Sequence, residues 1–397
     1  MRNVVEKLDD FGRGIVYFND KITFIPKCIS GDEIEFAVTE EHSKYYKGKL
    51  TKVIKPSSDR IEAKCPFYDK CGGCALQNLD YDKTLIFKKE KVENLFKRNR
   101  IDIHNVGIIS NPSPFHYRNK LSIKIQDCQI GFYEEDSHNI VCINECLLAK
   151  EEINRVIKLL PLLNLQNANL TIRCNYLNEI LLIIDTKEKN IKVPELFAQE
   201  LKLKGIIIND KVVYGEGFFN EVINDVIYEV SYNSFFQVNP YVASLLFKEI
   251  EKSIDKNDIV FDLYSGVGAL SLVEAKKAQK VIGIEVIKNA VINAVKNAKL
   301  NKINNAEFLL GDLSNGIKTN IKPTCVVVDP PRSGIDKKTM TWIKNTKPQK
   351  IIYVSCDPNT LVRDLKLLDN YNVKKVTLLD MFSYTYHLES VTILERK

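Results

Sequence analysis

The sequence predicts an α/β protein, with a wound, mostly parallel sheet in its C-terminal part, a small β-barrel at its N-terminus and a mixed α+β region between. Three observations predict it. From about residue 240, apolar runs alternate with helix-length stretches, the pattern of a parallel sheet covered by helices. Residues 1–58 hold short strand-like pieces, "GRGIVYF", "KITFIP", "GDEIEFAVTEE" and "KGKLTKVIKP", evenly spaced between turn signals. Residues 116–230 return to mixed short strands, clearest in "YRNKLSIKIQ", "NLTIRCNYLNEILLIID" and "VIYEVSYNSFFQVN". The expected units are therefore 1–58, 59–234 and 235–397, with no internal repeat and no low-complexity linker.

Small barrels of the oligonucleotide-binding kind are one common form for the first unit; a β-rich structural cap weighs equally on these residues alone. A polar helix over residues 83–98 carries Lys83, Lys88, Lys89, Lys91, Lys97 and Arg98. Such a helix is more often a solvated face than a binding surface, although it suits phosphates. The stretch 83–115 makes the middle boundary uncertain, since it can pack on the C-terminal sheet instead. Across the chain 57 basic residues face 51 acidic ones, a net charge of +6 that permits a polyanionic partner without demanding one. The start, "MRNVVEKLDDFGRG", has no apolar signal region, and no apolar run reaches membrane-spanning length. A cytoplasmic protein without membrane contact or an obligate protein partner is expected. Ten cysteines are many for a reducing compartment, so some are expected to react or to bind metal.

Seven strands are expected in the C-terminal sheet: "DIVFDLYSG", "KVIGIEV", "AEFLLGD", "TCVVVDPPR", "KIIYVSCDP", "KKVTLLDMF" and "SVTILERK". The connection "SYTYHLE" before the last is too short for a parallel crossover, so the last strand is expected to be antiparallel. That is the S-adenosylmethionine-dependent methyltransferase variant of the Rossmann arrangement. In open α/β sheets ligands lie beyond the carboxyl ends of the strands. The first strand ends at Gly266 and Gly268, which let backbone pass close to a ligand. The second ends at Glu285, placed to bind ribose hydroxyls, and the third at Asp312, placed to face an adenine edge. Together these support a nucleoside cofactor, though nicotinamide enzymes share the pattern. At the fourth strand, "DPPR" presents Asp329 in the cleft, with Arg332 nearby where amino-directed methyltransferases carry an aromatic.

Cys356 ends the fifth strand beside the same cleft. By base rate a lone cysteine is inert packing. Here it precedes a helix N-terminus begun by "DPNT", whose dipole is expected to favour a thiolate. Carbon 5 of uracil reacts poorly with a methyl sulfonium until a thiolate adds to carbon 6. A base must later remove the carbon 5 proton. His387 and Glu389 are on offer in the last loop, and either is equally readable as a surface polar residue.

These stretches resemble a known family, the RNA uracil-C5 methyltransferases, and within it the branch that modifies 23S ribosomal RNA. The resemblance spans nearly the whole chain: "SSDR", "CPFYDKCGGCALQ", "YRNK", "GFYEEDSHNIV", "SFFQVN", "DLYSGVG", "DPPRSG", "YVSCDPNTLVRD" and "DMFSYTYHLESV". It implies that the N-terminal barrel is a TRAM domain that holds RNA, that Cys356 is the nucleophile and that Glu389 takes the carbon 5 proton. It further implies that Gln237, Tyr264, Glu285, Asp312 and Asp329 line the S-adenosylmethionine site. Ser265, Ala269 and Ser383 depart from the family's usual cysteine, polar residue and proline.

From spacing alone, C-x5-C-x2-C with a remote fourth cysteine fits zinc or an iron–sulfur cluster. The resemblance implies a 4Fe-4S cluster on Cys65, Cys71, Cys74 and Cys146, with the nearby Cys142 ranked below Cys146. The target, a single-stranded or looped uridine of 23S rRNA, has to leave its stack. Phe235 and Phe236 are candidate stacking surfaces, at least one of them expected to be core. Three other readings remain: a transfer-RNA uracil-C5 methyltransferase, a branch that usually lacks both the barrel and the cluster; a radical enzyme, which would need C-x3-C-x2-C; and a non-catalytic RNA-binding assembly factor.

Overall fold

The structure, a computed structural model, describes residues 1–103, 106–311 and 321–397. The N-terminal unit is a six-stranded sheet in which Arg2–Val4 lies beside Glu33–Glu41, followed by Tyr45–Lys55, Lys21–Ile25, Gly14–Phe18 and Lys7–Leu8. The pairing of its two longest strands shifts register three times, and such bulges bend and twist a sheet. Val5, Val16, Ile25, Cys28, Ile34 and Phe36 form its own small core. The fully buried Asp32 anchors the exit of this unit. It accepts from the Ser57 amide at 3.0 Å and pairs with the Arg60 guanidinium at 2.7 Å, so the "SSDR" stretch acts as a clasp.

The middle of the chain builds a seven-stranded mixed sheet around Lys120–Gln126, Ala168–Cys174 and Ile180–Asp185, with Glu151–Leu159 packed on it. The hairpin Phe218–Ile223 and Val226–Ser231 forms a separate pair, and its Phe219, Tyr228 and Val230 share a core with the C-terminal sheet.

In the C-terminal sheet the strand order is Ala306–Leu310, Lys280–Glu285, Ile259–Leu263, Cys325–Val328, Lys350–Ser355, Glu389–Arg396, Tyr371–Leu379 and Val106–Ile109. The last strand in sequence, Glu389–Arg396, is antiparallel to both neighbours, as its short connection requires. The expectation of seven strands needs correction, because the described residues form eight. Val106–Ile109 pairs in parallel with Tyr371–Leu379 and covers an edge that would otherwise offer unpaired backbone.

The basic helix, Tyr81–Arg98, also differs from a solvated phosphate-binding face. Asp80 caps it, and Thr84, Lys88, Val92 and Phe96, each four residues apart, are buried on one stripe. Val92 and Phe96 join the core on one face of the C-terminal sheet. Lys88 is fully buried, its ammonium 2.5 Å from the equally buried Asp380, which also accepts from the Tyr81 and Ser383 hydroxyls at 2.7 and 2.6 Å. Lys83 pairs with Asp59 and Lys89 with Glu93. Lys91 donates to the carbonyls of Asp10 and Tyr386. Lys97 and Arg98 fill the last turn, where the helix dipole favours cations. Two of its six cations, Lys88 and Lys91, therefore hold distant parts of the protein together rather than facing solvent.

Removing one partner of a buried ion pair leaves the other uncompensated. Lys88→Met is expected to cost about 3–5 kcal/mol, read as a lower urea midpoint. A midpoint equal to the native one would show that Asp380 is satisfied without Lys88.

Candidate active site

Two pieces of backbone shape the first cleft. Strand Ile259–Leu263 ends in a turn where Tyr264, Gly266 and Gly268 take φ values of 70°, 56° and 81°. At Gly268 a β-carbon would also stand 3.0 Å from the Phe308 ring, so its role is to let the helix Ala269–Glu274 start close to that side chain of strand Ala306–Leu310. Across the cleft, the fully turned-in Arg173 donates from Nη1 to the carbonyls of Ser231, Tyr232 and Ser234 at 2.9, 3.0 and 2.9 Å. This clamp holds "SFFQ" in place: Phe236 is core, whereas Phe235 is 72% exposed.

The resulting cleft, about 380 Å³, brings together Gln237, Tyr264, Gly266, Glu285 and Asp329. Gly268 stands behind its wall, and Asp312 lies outside the described residues. Both Glu285 oxygens accept backbone amides, from Gly266 at 3.0 Å and Ile287 at 2.8 Å, which fixes the carboxylate at the strand end. The Tyr264 hydroxyl donates to Asp336 at 2.9 Å, turning its ring across the cleft.

Sequence reasoning missed Asp262. It is buried at the end of "IVFDL" and lines the same cleft, with its Oδ1 unpartnered among the described residues. An acid inside an apolar strand was the available signal. Burial raises Asp329 to about 7, and burial together with the charge of Asp329 raises Asp262 to about 7. Three carboxyl groups around one cleft suit a cationic ligand. Ser265, one of the departures noted above, also lies here, and its buried hydroxyl has no partner among the described residues.

Strand pairing sets the second feature. Ser355 pairs with Ser390 across the antiparallel strands Lys350–Ser355 and Glu389–Arg396. Cys356 follows the first of these residues and Glu389 precedes the second, so thiol and carboxyl stand opposite each other at the end of the sheet. Glu389 is buried and Cys356 half-buried. Asp329 and Arg332 face the same space: both act on the Cys356 thiol and on the Glu389 carboxyl.

The expected thiolate-favouring helix end is not what governs Cys356. Burial first, then the Glu389 charge, push its thiol up to about 11, and Arg332 pulls it only partly back. The helix Pro358–Leu367 is capped by Asp357, whose carboxylate takes the Asn359 and Thr360 amides and screens the dipole. Burial likewise raises Glu389 well above the ordinary carboxyl range, with Asp329 adding to it. His387 is pushed down to about 4 by burial and by Arg332, Lys91, Lys88 and Arg118. At neutral pH it is a neutral ring and a poor proton acceptor.

Cys65, Cys71, Cys74 and Cys146 line a separate cavity of about 390 Å³ with Arg118 and Lys120, whereas Cys142 is exposed on a strand outside it. Gln77 Nε2 donates to Cys74 Sγ at 3.2 Å and the Gly73 amide to Cys71 Sγ at 3.4 Å, contacts that suit thiolates. Among the described residues no three Cys, His, Asp or Glu side chains converge on a point that holds a single metal ion. Four thiols around one roomy cavity fit a larger group better than a zinc ion, whose sulfur ligands sit about 2.3 Å from the metal.

Residues 80–397 match the profile of the tRNA (Uracil-5-)-methyltransferase family. This chain belongs to the RNA uracil-C5 methyltransferase family. It is similar over nearly its whole length to an uncharacterized RNA methyltransferase of Clostridium tetani, 33% identical over 96% of this chain and 93% of that one. It is likewise similar to one of Clostridium acetobutylicum, 34% identical over 98% and 96%. Among solved structures it is similar to the Pyrococcus abyssi tRNA (uracil-54, C5)-methyltransferase in complex with S-adenosyl-L-homocysteine, with a TM-score of 0.83, 28% identity and coverage of 99% of this chain and 100% of that one. The chain is thus an S-adenosylmethionine-dependent RNA methyltransferase, with the fold of that class. Its whole length, N-terminal sheet included, has a counterpart in a tRNA enzyme, so the presence of that sheet no longer counts against a tRNA substrate.

For the free protein, alkylation of Cys356 by iodoacetamide, read on its own peptide by mass spectrometry, is expected to rise about tenfold per pH unit up to pH 11, because the thiolate is the reactive form. A plateau below pH 9 would contradict the raised thiol.

Proposed function

We propose that this protein methylates carbon 5 of a uridine in 23S ribosomal RNA, with Cys356 as nucleophile and Glu389 as the base. The observation that carries this reading is the cross-strand placement of that thiol and carboxyl at the mouth of the cofactor cleft. The thiol first loses its proton to water, the sulfur adds to carbon 6 of the flipped base, and the ring's electron pair moves toward carbon 5. Bound S-adenosylmethionine supplies the methyl group as a sulfonium electrophile. The carbon 5 proton then passes to Glu389, whose raised proton affinity suits the task once it is ionised, and the sulfur leaves with the restoration of the double bond. Arg332, exposed beside both groups, lowers the cost of the thiolate. Gln237, Tyr264, Glu285 and Asp329 hold the cofactor, Gly266 and Gly268 shape the turn around it, and Asp312 is assigned to its adenine end.

The four cysteines lining the second cavity are proposed to hold a 4Fe-4S cluster with a structural role, and the N-terminal sheet to act as a TRAM-type RNA-holding module. The site of action proposed is the cytoplasm. A tRNA uridine is the second reading, favoured by the full-length similarity to an enzyme that acts on tRNA.

The test uses anaerobically purified protein, whose iron and sulfide are expected at about four each per chain. It is offered 5-fluorouridine-substituted 23S rRNA fragments and tRNA with S-adenosylmethionine. Fluorine cannot leave as a proton, so a denaturation-resistant adduct is expected with rRNA and is absent in Cys356→Ala. An adduct on tRNA alone would move the substrate to the second reading, and no adduct on either would contradict the mechanism.

A further inference from the structure

One side of the catalytic mouth is built by a turn that lies 375 residues away in sequence, from Phe11 to Tyr386. Phe11, at its tip, is 53% exposed, and its ring meets the edge of Tyr386 at 5.3 Å. Tyr386 in turn meets His387 at 4.1 Å, and Glu389 lies two residues further on. We propose that Phe11, braced edge-on by Tyr386 and through it by His387, is a stacking platform for an unpaired RNA nucleotide next to the methylated uridine, so that the N-terminal sheet supplies part of the catalytic mouth. The proposal rests on the reading of RNA as substrate.

A single exposed apolar side chain needs no explanation by itself. Here the backbone that presents it is fixed from several sides. Asp9 Oδ1 accepts the amides of Phe11 and Arg13 at 2.9 and 2.8 Å, and its Oδ2 pairs with the Arg13 guanidinium at 2.6 Å. Gly12, at φ 78°, packs so tightly on the cysteine-bearing segment that a β-carbon would stand 2.9 Å from Leu76. Lys91 reaches from its helix to the Asp10 carbonyl at 2.7 Å and the Tyr386 carbonyl at 3.3 Å, pinning the two loops together. A turn held this firmly, with its aromatic tip directed outward, is preorganised for an aromatic partner.

Charge and ring chemistry identify that partner as a nucleotide. The Arg13 guanidinium lies 5.1 Å from the Phe11 ring and the Lys91 ammonium 5.5 Å from the Tyr386 ring. Arg13 is already paired with Asp9 and Lys91 already donates to two carbonyls, so the exposed Arg332, which acts on His387 from the catalytic side, is the cation left to meet a phosphate. Aromatic faces beside cations are how proteins hold single-stranded nucleic acid, the rings stacking on bases and the cations meeting phosphates. His387, kept neutral at physiological pH, braces Tyr386 without adding a buried charge.

The experiment measures binding of a single-stranded oligouridine carrying one 2-aminopurine beside its central uridine, at low salt with S-adenosylhomocysteine present. Stacking quenches 2-aminopurine fluorescence. Phe11→Ala is expected to weaken binding about tenfold and to lose most of the quenching, as loss of one base–aromatic stack would. Phe11→Trp is expected to restore both, with S-adenosylhomocysteine affinity the same in all three proteins. Native-like binding and quenching in Phe11→Ala, absence of quenching in the native protein, or failure of Phe11→Trp to restore it would each overturn the platform. Because the readout involves no methyl transfer, an absent 5-fluorouridine adduct alongside intact Phe11-dependent quenching would fault the catalytic assignment and leave the platform standing.

Discussion

The register between strands Lys350–Ser355 and Glu389–Arg396 is the constraint on which the site depends. Side chains alternate along a strand, so a one-residue slip would turn Glu389 to the other face and away from Cys356. The slip is opposed on both sides of the sheet. Ile352, Val354 and Val391 sit in one core, Ile351, Tyr353 and Leu394 in the other, and moving either set would expose it. The Ser390 hydroxyl donates to the Ser355 carbonyl at 3.0 Å beside the critical pair. The placement of Cys356 opposite Glu389 and the packing of the core are thus the same property of this sheet.

The loop that precedes Glu389, residues 380–388, is held by several parts of the molecule distant in sequence. Lys88 reaches Asp380 from the basic helix. The amides of Ala75 and Leu76, just after the cysteine motif, both donate to the Tyr384 carbonyl, at 3.2 and 3.0 Å. Asn111 donates to the Ser383 hydroxyl at 3.0 Å, and that hydroxyl donates to Asp380. Ser383, where the family usually has proline, therefore completes a buried polar network. Lys91 and Phe11 complete the enclosure from the N-terminal side. These contacts give the first hundred residues a structural task, that of holding the 380–388 loop in place.

Much of the C-terminal sheet was legible because apolar runs and crossover lengths report parallel strands, and because ligands lie beyond strand ends. Gly266, Glu285 and Asp329 gather at one cleft for that reason, and Gln237 and Tyr264, which only the family resemblance implied, join them there. What escaped depends on partners distant in sequence. Val106–Ile109 is too short to stand out, and its pairing edge lies far along the chain. Lys88 and Lys91 read as solvated because nothing local announces Asp380 or the Tyr386 carbonyl. The Cys356 thiol was expected to be lowered by the helix it precedes. Burial, and then Glu389, brought opposite by pairing, reverse the sign, while Asp357 caps the helix itself. Phe11 carried no local signal, since its meaning arises only against Tyr386.

Carbon 5 chemistry is the central claim, and loss of the hydrogen from that carbon is its direct signature. RNA labelled with tritium at uridine carbon 5 should release one tritium to water for each methyl group transferred, because the hydrogen and the new methyl group occupy the same carbon. Methyl transfer without tritium release would place the methyl elsewhere on the nucleotide and contradict the account.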